Sequence, residues 1–209
     1  MLLPALLLTL VAPLAAFAQD DLTHLLQAIE TRYNSPRTLQ VLFEQSFSGA
    51  GRLTRTERGI LYIQKPGRML WEYSTPPGKF FLADGKFAYF YTPSTQQVSR
   101  TPLKESDDLR APLAFLMGRL DFQRDFKEFR THPEAADLYI AATPKSEKAP
   151  YTQVEFLVTP SRQIRLLKVT GQDRSMMEYR LAGEMLNPPL NARIFQFRLP
   201  EGARLLEEQ

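Results

Sequence analysis

Two side-chain types that often move protons or hold a metal ion are scarce in this sequence, which has two histidines and no cysteine. The two histidines, His24 and His132, are far apart, and neither has a second ligand type at metal-binding spacing. The adjacent carboxylates Asp107-Asp108 point apart and indicate a helix cap rather than an acid–base pair. Gly85-Lys86 is followed by Phe87, which excludes a phosphate-binding loop. We therefore predict no catalytic residues, no metal and no cofactor, with a hydrolase built on scattered carboxylates as the alternative.

The residue types favour binding over catalysis, because apolar and aromatic residues alternate along one short segment. Met69, Trp71 and Tyr73 fall on one side of a predicted strand, where they either pack as an ordinary core or line an apolar binding site. Lys65 shares this side, which is unusual for a charged residue. Its ammonium either bonds a helix carbonyl as a latch or extends into solvent at the strand end.

One helix and a series of strands must position these residues. Asp20 or Asp21 caps the predicted helix, and Asn34-Ser35-Pro36 ends it. Strand periodicity and turn residues then predict six neighbouring strands between residues 38 and 101, with Asp84-Gly85 in a two-residue hairpin. The helical stripe consists of Leu22, Leu25, Leu26, Ile29 and Tyr33.

The second half of the sequence predicts more strands after one short helix. Leu113, Leu116 and Met117 have helical spacing, and a helix this short has to lie on the sheet to be stable. The total of about eleven or twelve strands indicates a mainly β fold, in one antiparallel sheet too large to stay flat. Two short helices cannot fill the inner side of such a sheet, so we expect an apolar cavity. The later strands are predicted near residues 125–130, 138–142, 153–158, 164–170, 176–181 and 194–198.

The composition and the first residues of the sequence indicate where the protein is located and which partners it has. Residues 1–18 carry no charge and end in Ala16-Phe17-Ala18, which predicts a cleaved signal peptide and one exported domain over residues 19–209. The absence of cysteine excludes disulfides and an acylated cysteine at the mature terminus. The 26 basic and 23 acidic side chains are interspersed, so no nucleic-acid partner is expected. No long exposed apolar helix calls for a second copy, and we expect a monomer.

Several short motifs, spread over the predicted mature chain, resemble the LolA family of periplasmic lipoprotein carriers. They are individually weak and jointly specific. The matching residues are Gly59, Lys65-Pro66, Met69 and Trp71, the Asp84-Gly85 hairpin with the strand 87–91, Tyr91-Thr92-Pro93, Gln97-Val98, the helix APLAFLMGRLDF at 111–122, and Phe195-x-Phe197 to Pro200-x-Gly202.

The resemblance implies a half-open antiparallel β-barrel of about eleven strands under a lid of short α-helices. It implies a periplasmic carrier that takes acylated lipoproteins from an inner-membrane LolCDE-type ABC exporter to an outer-membrane LolB-type acceptor. A carrier of another lipid, such as a glycolipid, is the alternative on the same fold. We expect Lys65 as lid latch and Leu113, Leu116 and Met117 in the lid. The expected cavity residues are Phe43, Met69, Trp71, Tyr73, Phe81 and Tyr89.

The sequence departs from the family at the latch, where the family usually has arginine and this chain has Lys65. A lysine ammonium lacks the planar fork of arginine and holds fewer carbonyls at once. Either the lid closes more loosely, or Arg68 assists.

Overall fold

The computed structural model describes residues 14–49, 52–103 and 120–207, and these form one open sheet of twelve strands with few short helices. This confirms the predicted mainly β fold. Every neighbouring pair of strands is antiparallel except β12 with β6. The strands are β1 (Thr38–Gly49), β2 (Arg52–Gln64), β3 (Arg68–Thr75), β4 (Pro77–Asp84), β5 (Phe87–Thr92), β6 (Gln97–Pro102), β7 (Phe126–Glu134), β8 (Asp137–Pro144), β9 (Tyr151–Val158), β10 (Ile164–Gly171), β11 (Met176–Leu186) and β12 (Arg204–Glu207).

Sequence neighbours are mostly sheet neighbours. The strand order is β12-β6-β5-β4-β3-β2-β1-β11-β10-β9-β8-β7, so two antiparallel meanders meet where β1 pairs with β11. The predicted six-strand meander corresponds to β1–β6. The predicted loop at Asp84-Gly85 is wrong by one residue: Ala83 pairs with Ala88, so the two loop residues are Gly85 and Lys86. Gly85 has a φ of 102°, and the Asp84 carboxylate accepts hydrogen bonds from the backbone N–H groups of Lys86 and Phe87.

The helix α1 (Leu14–Asn34) covers one face of the sheet, which we call the inner face. Its apolar stripe is confirmed, since Leu26, Ile29 and Tyr33 are buried against the strands and Leu22 and Leu25 pack at the margin of this core. The helix begins earlier than predicted and includes the last residues of the predicted signal peptide, while its end at Asn34 is as predicted. A second helix, α2 (Phe122–Asp125), places Phe122 edge-on against Phe156 at 5.4 Å.

The opposite, outer face is covered by the chain's own C-terminal segment. The predicted strand at 194–198 is wrong: a 3₁₀ helix (Ala192–Phe195) lies there, capped by the Asn191 side chain, and Phe195 is buried against the outer face. This segment contacts the sheet through side chains instead of extending an edge. The chain then adds β12 parallel to β6.

Candidate functional site

Five of the six predicted cavity residues lie together on the inner face. Strand pairing aligns Trp71 with Phe81, and the rings of Trp71 and Tyr73 lie 4.7 and 5.1 Å from the ring of Phe43, both edge-on. Tyr179 on β11 extends the group at 5.7 Å from Trp71. The resulting aromatic band crosses β1, β3, β4 and β11.

Gly59 makes this arrangement possible. A Cβ atom at this position would lie 2.8 Å from the ring of Phe43 and 2.1 Å from the carbonyl oxygen of Glu72. Only a residue without a side chain lets the Phe43 ring lie across β2 between Trp71 and Tyr73. A glycine inside a strand pattern therefore marks the place where an aromatic ring fills the space of the missing side chain.

Polar atoms of the aromatic band form hydrogen bonds with neighbouring side chains of the inner face. The indole N–H of Trp71 donates to the sulfur of Met69 at 2.8 Å, so the buried tryptophan has a partner in an apolar environment. The Tyr73 hydroxyl donates to Oε1 of Gln45 at 3.2 Å, and the Gln45 amide donates to the sulfur of Met177 at 3.6 Å. The aromatic band thus ends in a polar layer at the far end of β1.

The expectation that Tyr89 shares this face is wrong. Tyr89 pairs with Leu82, which pairs with Leu70, and these residues lie on the outer face. There the ring of Tyr89 stacks on Phe197 of the C-terminal segment, with centroids 4.0 Å apart and planes at 6°. Phe90 takes the inner position instead, paired with Phe81. The sequence already indicated this placement. Across a two-residue hairpin loop an odd-numbered residue pairs with an even-numbered one, so the partner of Phe81 on the inner face has an even number.

Coverage of the inner face decreases along the aromatic band. Met69 and Trp71 are buried in the core cluster that includes the apolar stripe of α1, Phe81 is partly buried, and Phe90 is 39% exposed. The ammonium of Lys79 lies near the rings of Tyr73 and Phe90. We call the group Lys79, Phe81 and Phe90 the open edge.

At the opposite side, Lys65 reaches the last turn of α1. Its ammonium donates to the backbone carbonyl of Tyr33 and to that of Asn34 at 3.1 Å. These carbonyls carry the negative end of the helix dipole and lack partners within the helix, so a cation there is favourable. Burial lowers the pKa of Lys65. Arg68 lies on the outer face opposite Asp84.

A second set of contacts at this turn was not predicted. Arg32 donates to Oε1 of Glu184 at 3.0 and 2.5 Å, and the Tyr33 hydroxyl donates to Oε2 of Glu184 at 2.6 Å. The same hydroxyl accepts the backbone N–H of Ile164 at 2.8 Å. Burial, followed by the Glu184 charge, raises the pKa of Tyr33. No local pattern indicates a pairing of residues more than 150 positions apart.

The same turn contacts the chain just after residue 119. The Asn34 side chain donates to the carbonyl of Leu120 at 2.7 Å and accepts its N–H at 3.0 Å, and the Glu30 carboxylate accepts the N–H of Phe122 at 2.7 Å. We call Arg32, Tyr33 and Asn34 with these partners the anchored end. The predicted lid residues Leu113, Leu116 and Met117 lie outside the described residues, as does the Asp107-Asp108 pair.

The remaining candidates for chemistry are separated from the aromatic band. His24 is exposed on α1, and His132 on β7 stacks on Tyr139 at 4.4 Å. Within the described residues, no group of three or more metal-ligating side chains comes together. Over the same ranges, no helix has the length and apolar character needed to cross a membrane.

The fold and the aromatic inner face define a class of proteins built on one large open antiparallel sheet with a helix across it. A solved protein of Thermus thermophilus has this fold, with a TM-score of 0.53 at 11% identity over 90% of this chain and 99% of that chain. MucB superposes with a TM-score of 0.52 at 9% identity over 86% of this chain and 63% of its own. Both likenesses concern the fold alone.

Sequence comparison identifies the family. The profile of the outer membrane lipoprotein carrier protein LolA matches residues 34–198. The chain is 27% identical over 186 residues to the outer-membrane lipoprotein carrier protein of Proteus mirabilis (strain HI4320), covering 88% of both chains. It is 28% identical over 206 residues to the carrier of Chromohalobacter salexigens, covering 96% of this chain and 93% of that one. The chain therefore belongs to the LolA family of lipoprotein carriers.

Proposed function

We propose that the inner face binds the acyl chains of lipoproteins and shields them while the protein carries them through the periplasm. The continuity of the aromatic band supports this proposal. Trp71, Phe81 and Phe90 are aligned across β3, β4 and β5, and their exposure rises from buried to open along that line. An acyl chain that contacts Phe90 first has an unbroken apolar path toward the core.

The energies suit a carrier. Sheltering one methylene from water is favourable by about 0.8 kcal/mol, so a long acyl chain gains on the order of 10 kcal/mol. Full recovery of this free energy would prevent release. Rigid aromatic rings make an uneven wall with imperfect complementarity, which keeps part of that energy unrealised and lets the next site compete.

The proposed route runs from an inner-membrane LolCDE-type exporter to an outer-membrane LolB-type acceptor, with residues 1–18 removed as a signal peptide. Lys65 is the latch in this scheme, and Leu113, Leu116 and Met117 belong to the lid. Lys65 holds the end of α1, and Asn34 in that end holds Leu120, so the latch is connected by hydrogen bonds to Leu120.

Fluorescence of Trp71 tests the proposed function directly, because it is the only tryptophan in the chain. We expect a triacylated lipopeptide to change the emission intensity of Trp71 in a saturable titration. The same peptide without acyl chains should leave it unchanged. Equal responses to the two peptides would contradict the proposal.

Two adjacent phenylalanines provide a matched control. Phe81 lies on the inner face and Phe80 on the outer face. Phe81→Ser should weaken lipopeptide binding about tenfold, and Phe80→Ser should change it less than twofold, with thermal unfolding used to confirm that both variants fold. Mass spectrometry of lipid co-purified from the native host distinguishes an acylated polypeptide from a glycolipid.

A further inference from the structure

An ion pair lies in the inner face beside the aromatic band. Glu57 on β2 and Lys79 on β4 both point to the side that carries Tyr73, and the Lys79 ammonium donates to Oε2 of Glu57 at 2.5 Å. Only 11% of the Lys79 side chain and 7% of the Glu57 side chain are exposed. Shielding of acyl chains needs no charge here, and apolar residues of similar volume would avoid the desolvation cost of the pair.

The surroundings place Lys79 where the polar part of a bound lipid would lie. Its ammonium is 4.4 Å from the ring centroid of Tyr73 and 5.4 Å from that of Phe90, so it lies between a buried ring and an exposed ring. An acyl chain extending along the aromatic band from Phe90 toward Trp71 has its ester or amide linkage near this point.

The ammonium has spare hydrogen-bonding capacity. A lysine has three N–H donors, and within the described part of the chain Glu57 is the acceptor that Lys79 uses. The second oxygen of Glu57 lies 3.1 Å from Nε of Arg55. The Arg55 side chain is 64% exposed, so water largely screens its charge. The Glu57 carboxylate thus compensates the Lys79 charge locally and leaves its remaining N–H groups available.

We propose that Lys79 donates a hydrogen bond to the acyl carbonyl oxygens of the bound lipid, and that Glu57 selects a neutral glyceryl ester or amide over an anionic phospholipid head group. This inference rests on the proposed function. A neutral carbonyl accepts from Lys79 without meeting a net charge. A phosphate at the same place would approach the Glu57 carboxylate in a partly desolvated site, where like charges repel strongly.

The deciding variant is Glu57→Gln, which keeps an oxygen acceptor for Lys79 but removes the negative charge. Trp71 fluorescence would measure the Kd of a triacylated lipopeptide with a neutral head and that of short-chain phosphatidylglycerol. We expect wild-type protein to prefer the lipopeptide, and Glu57→Gln to shift the ratio of the two Kd values toward phosphatidylglycerol by tenfold or more. A ratio that stays within twofold of the wild-type value would overturn the proposal.

Glu44→Gln is the matched control, because it makes the same change of net charge on the outer face, where Glu44 pairs with Arg58. We expect its ratio of Kd values to stay within twofold of wild type. An equal shift in both variants would assign the effect to net charge and overturn the proposal.

Lys79→Met tests the donor. It should weaken lipopeptide binding several-fold while Lys79→Arg retains it, and unchanged binding by a folded Lys79→Met would also overturn the inference. Failure of the proposed function has a different signature, since wild-type protein would then show no response to the lipopeptide at all.

Discussion

The anchored end and the open edge belong to the same inner face but hold their surroundings in different ways. At the anchored end, the last turn of α1 is fixed by Lys65, Glu184 and the backbone at residues 120–122. At the open edge, Phe81 and Phe90 present ring surface, with Lys79 as the charged group.

The two regions therefore have different roles: the anchored end positions α1, and the open edge accommodates the acyl chains. Hydrogen bonds and ion pairs depend on direction and distance, so the anchored end specifies one placement of the helix. Burial of apolar surface is nearly independent of direction, so the open edge can accept acyl chains in several poses. Changes at the anchored end should therefore affect stability, and changes at the open edge should affect cargo affinity.

The largest expected effect is on stability, from Glu184→Ala at the anchored end. The Glu184 side chain is only 2% exposed, and its removal leaves Arg32 and the Tyr33 hydroxyl without their acceptor. Because Arg32 is partly solvated, we expect a loss of about 2–4 kcal/mol in the free energy of unfolding, measured by urea denaturation.

Glu178→Ala on the same strand is the matched control. Glu178 pairs with Arg180 at 2.7 Å, but both side chains are more exposed than Glu184. We expect a change below about 0.5 kcal/mol. Equal losses of unfolding free energy in the two variants would show that the buried contacts of Glu184 stabilise the fold no more than an exposed ion pair does.

The next largest effect is expected for Lys65→Met, which removes two hydrogen bonds to the end of α1 while keeping the apolar stem. We expect a loss of about 1–2 kcal/mol and faster amide exchange in residues 24–34. Lys65→Arg should slow this exchange and slow cargo release to an acceptor, because the guanidinium presents more donors to the same carbonyls. Release at the wild-type rate from the arginine variant would argue against a latch.

The smallest effect on stability is expected at the open edge. Phe90→Ser should change the free energy of unfolding by less than about 1 kcal/mol, because the ring is already partly in water. It should nevertheless weaken lipopeptide binding several-fold in the Trp71 titration. Leu42→Ser, at an exposed apolar residue of the outer face, should leave binding unchanged. Similar behaviour of the two variants would remove the distinction between the open edge and other exposed apolar surface.

Local pattern predicted the parts of the structure that local chemistry determines. The α1 stripe, its end at Asn34 and the six-strand meander follow from periodicity and turn residues, and these place Met69, Trp71 and Tyr73 on one face. The contact of Lys65 with helix carbonyls was one of two stated alternatives. Phe90 in place of Tyr89 was within reach of the sequence, since any two-residue loop between β4 and β5 pairs Phe81 with an even-numbered residue. The loop itself lies at Gly85-Lys86 and not at the predicted Asp84-Gly85.

Long-range polar contacts and edge pairings could not be predicted in this way. Glu184 meets Tyr33 only because β11 lies beside β1 in the finished sheet, and nothing near either residue indicates that neighbour. The C-terminal segment has the alternation of a strand in Phe195 and Phe197. Its apolar side chains nevertheless pack onto the outer face, where Phe197 stacks on Tyr89 and Phe195 is buried.

The parallel pairing of β12 with β6 has a practical consequence for handling the protein. The four residues of β12 pair with backbone groups of β6 that would otherwise be left unpaired at an edge of the sheet. A truncation before Arg204 would expose the backbone groups of β6 and promote self-association, and a purification tag fused directly after β12 would lie close to that strand pair. An N-terminal tag placed after the proposed processing site avoids that disturbance.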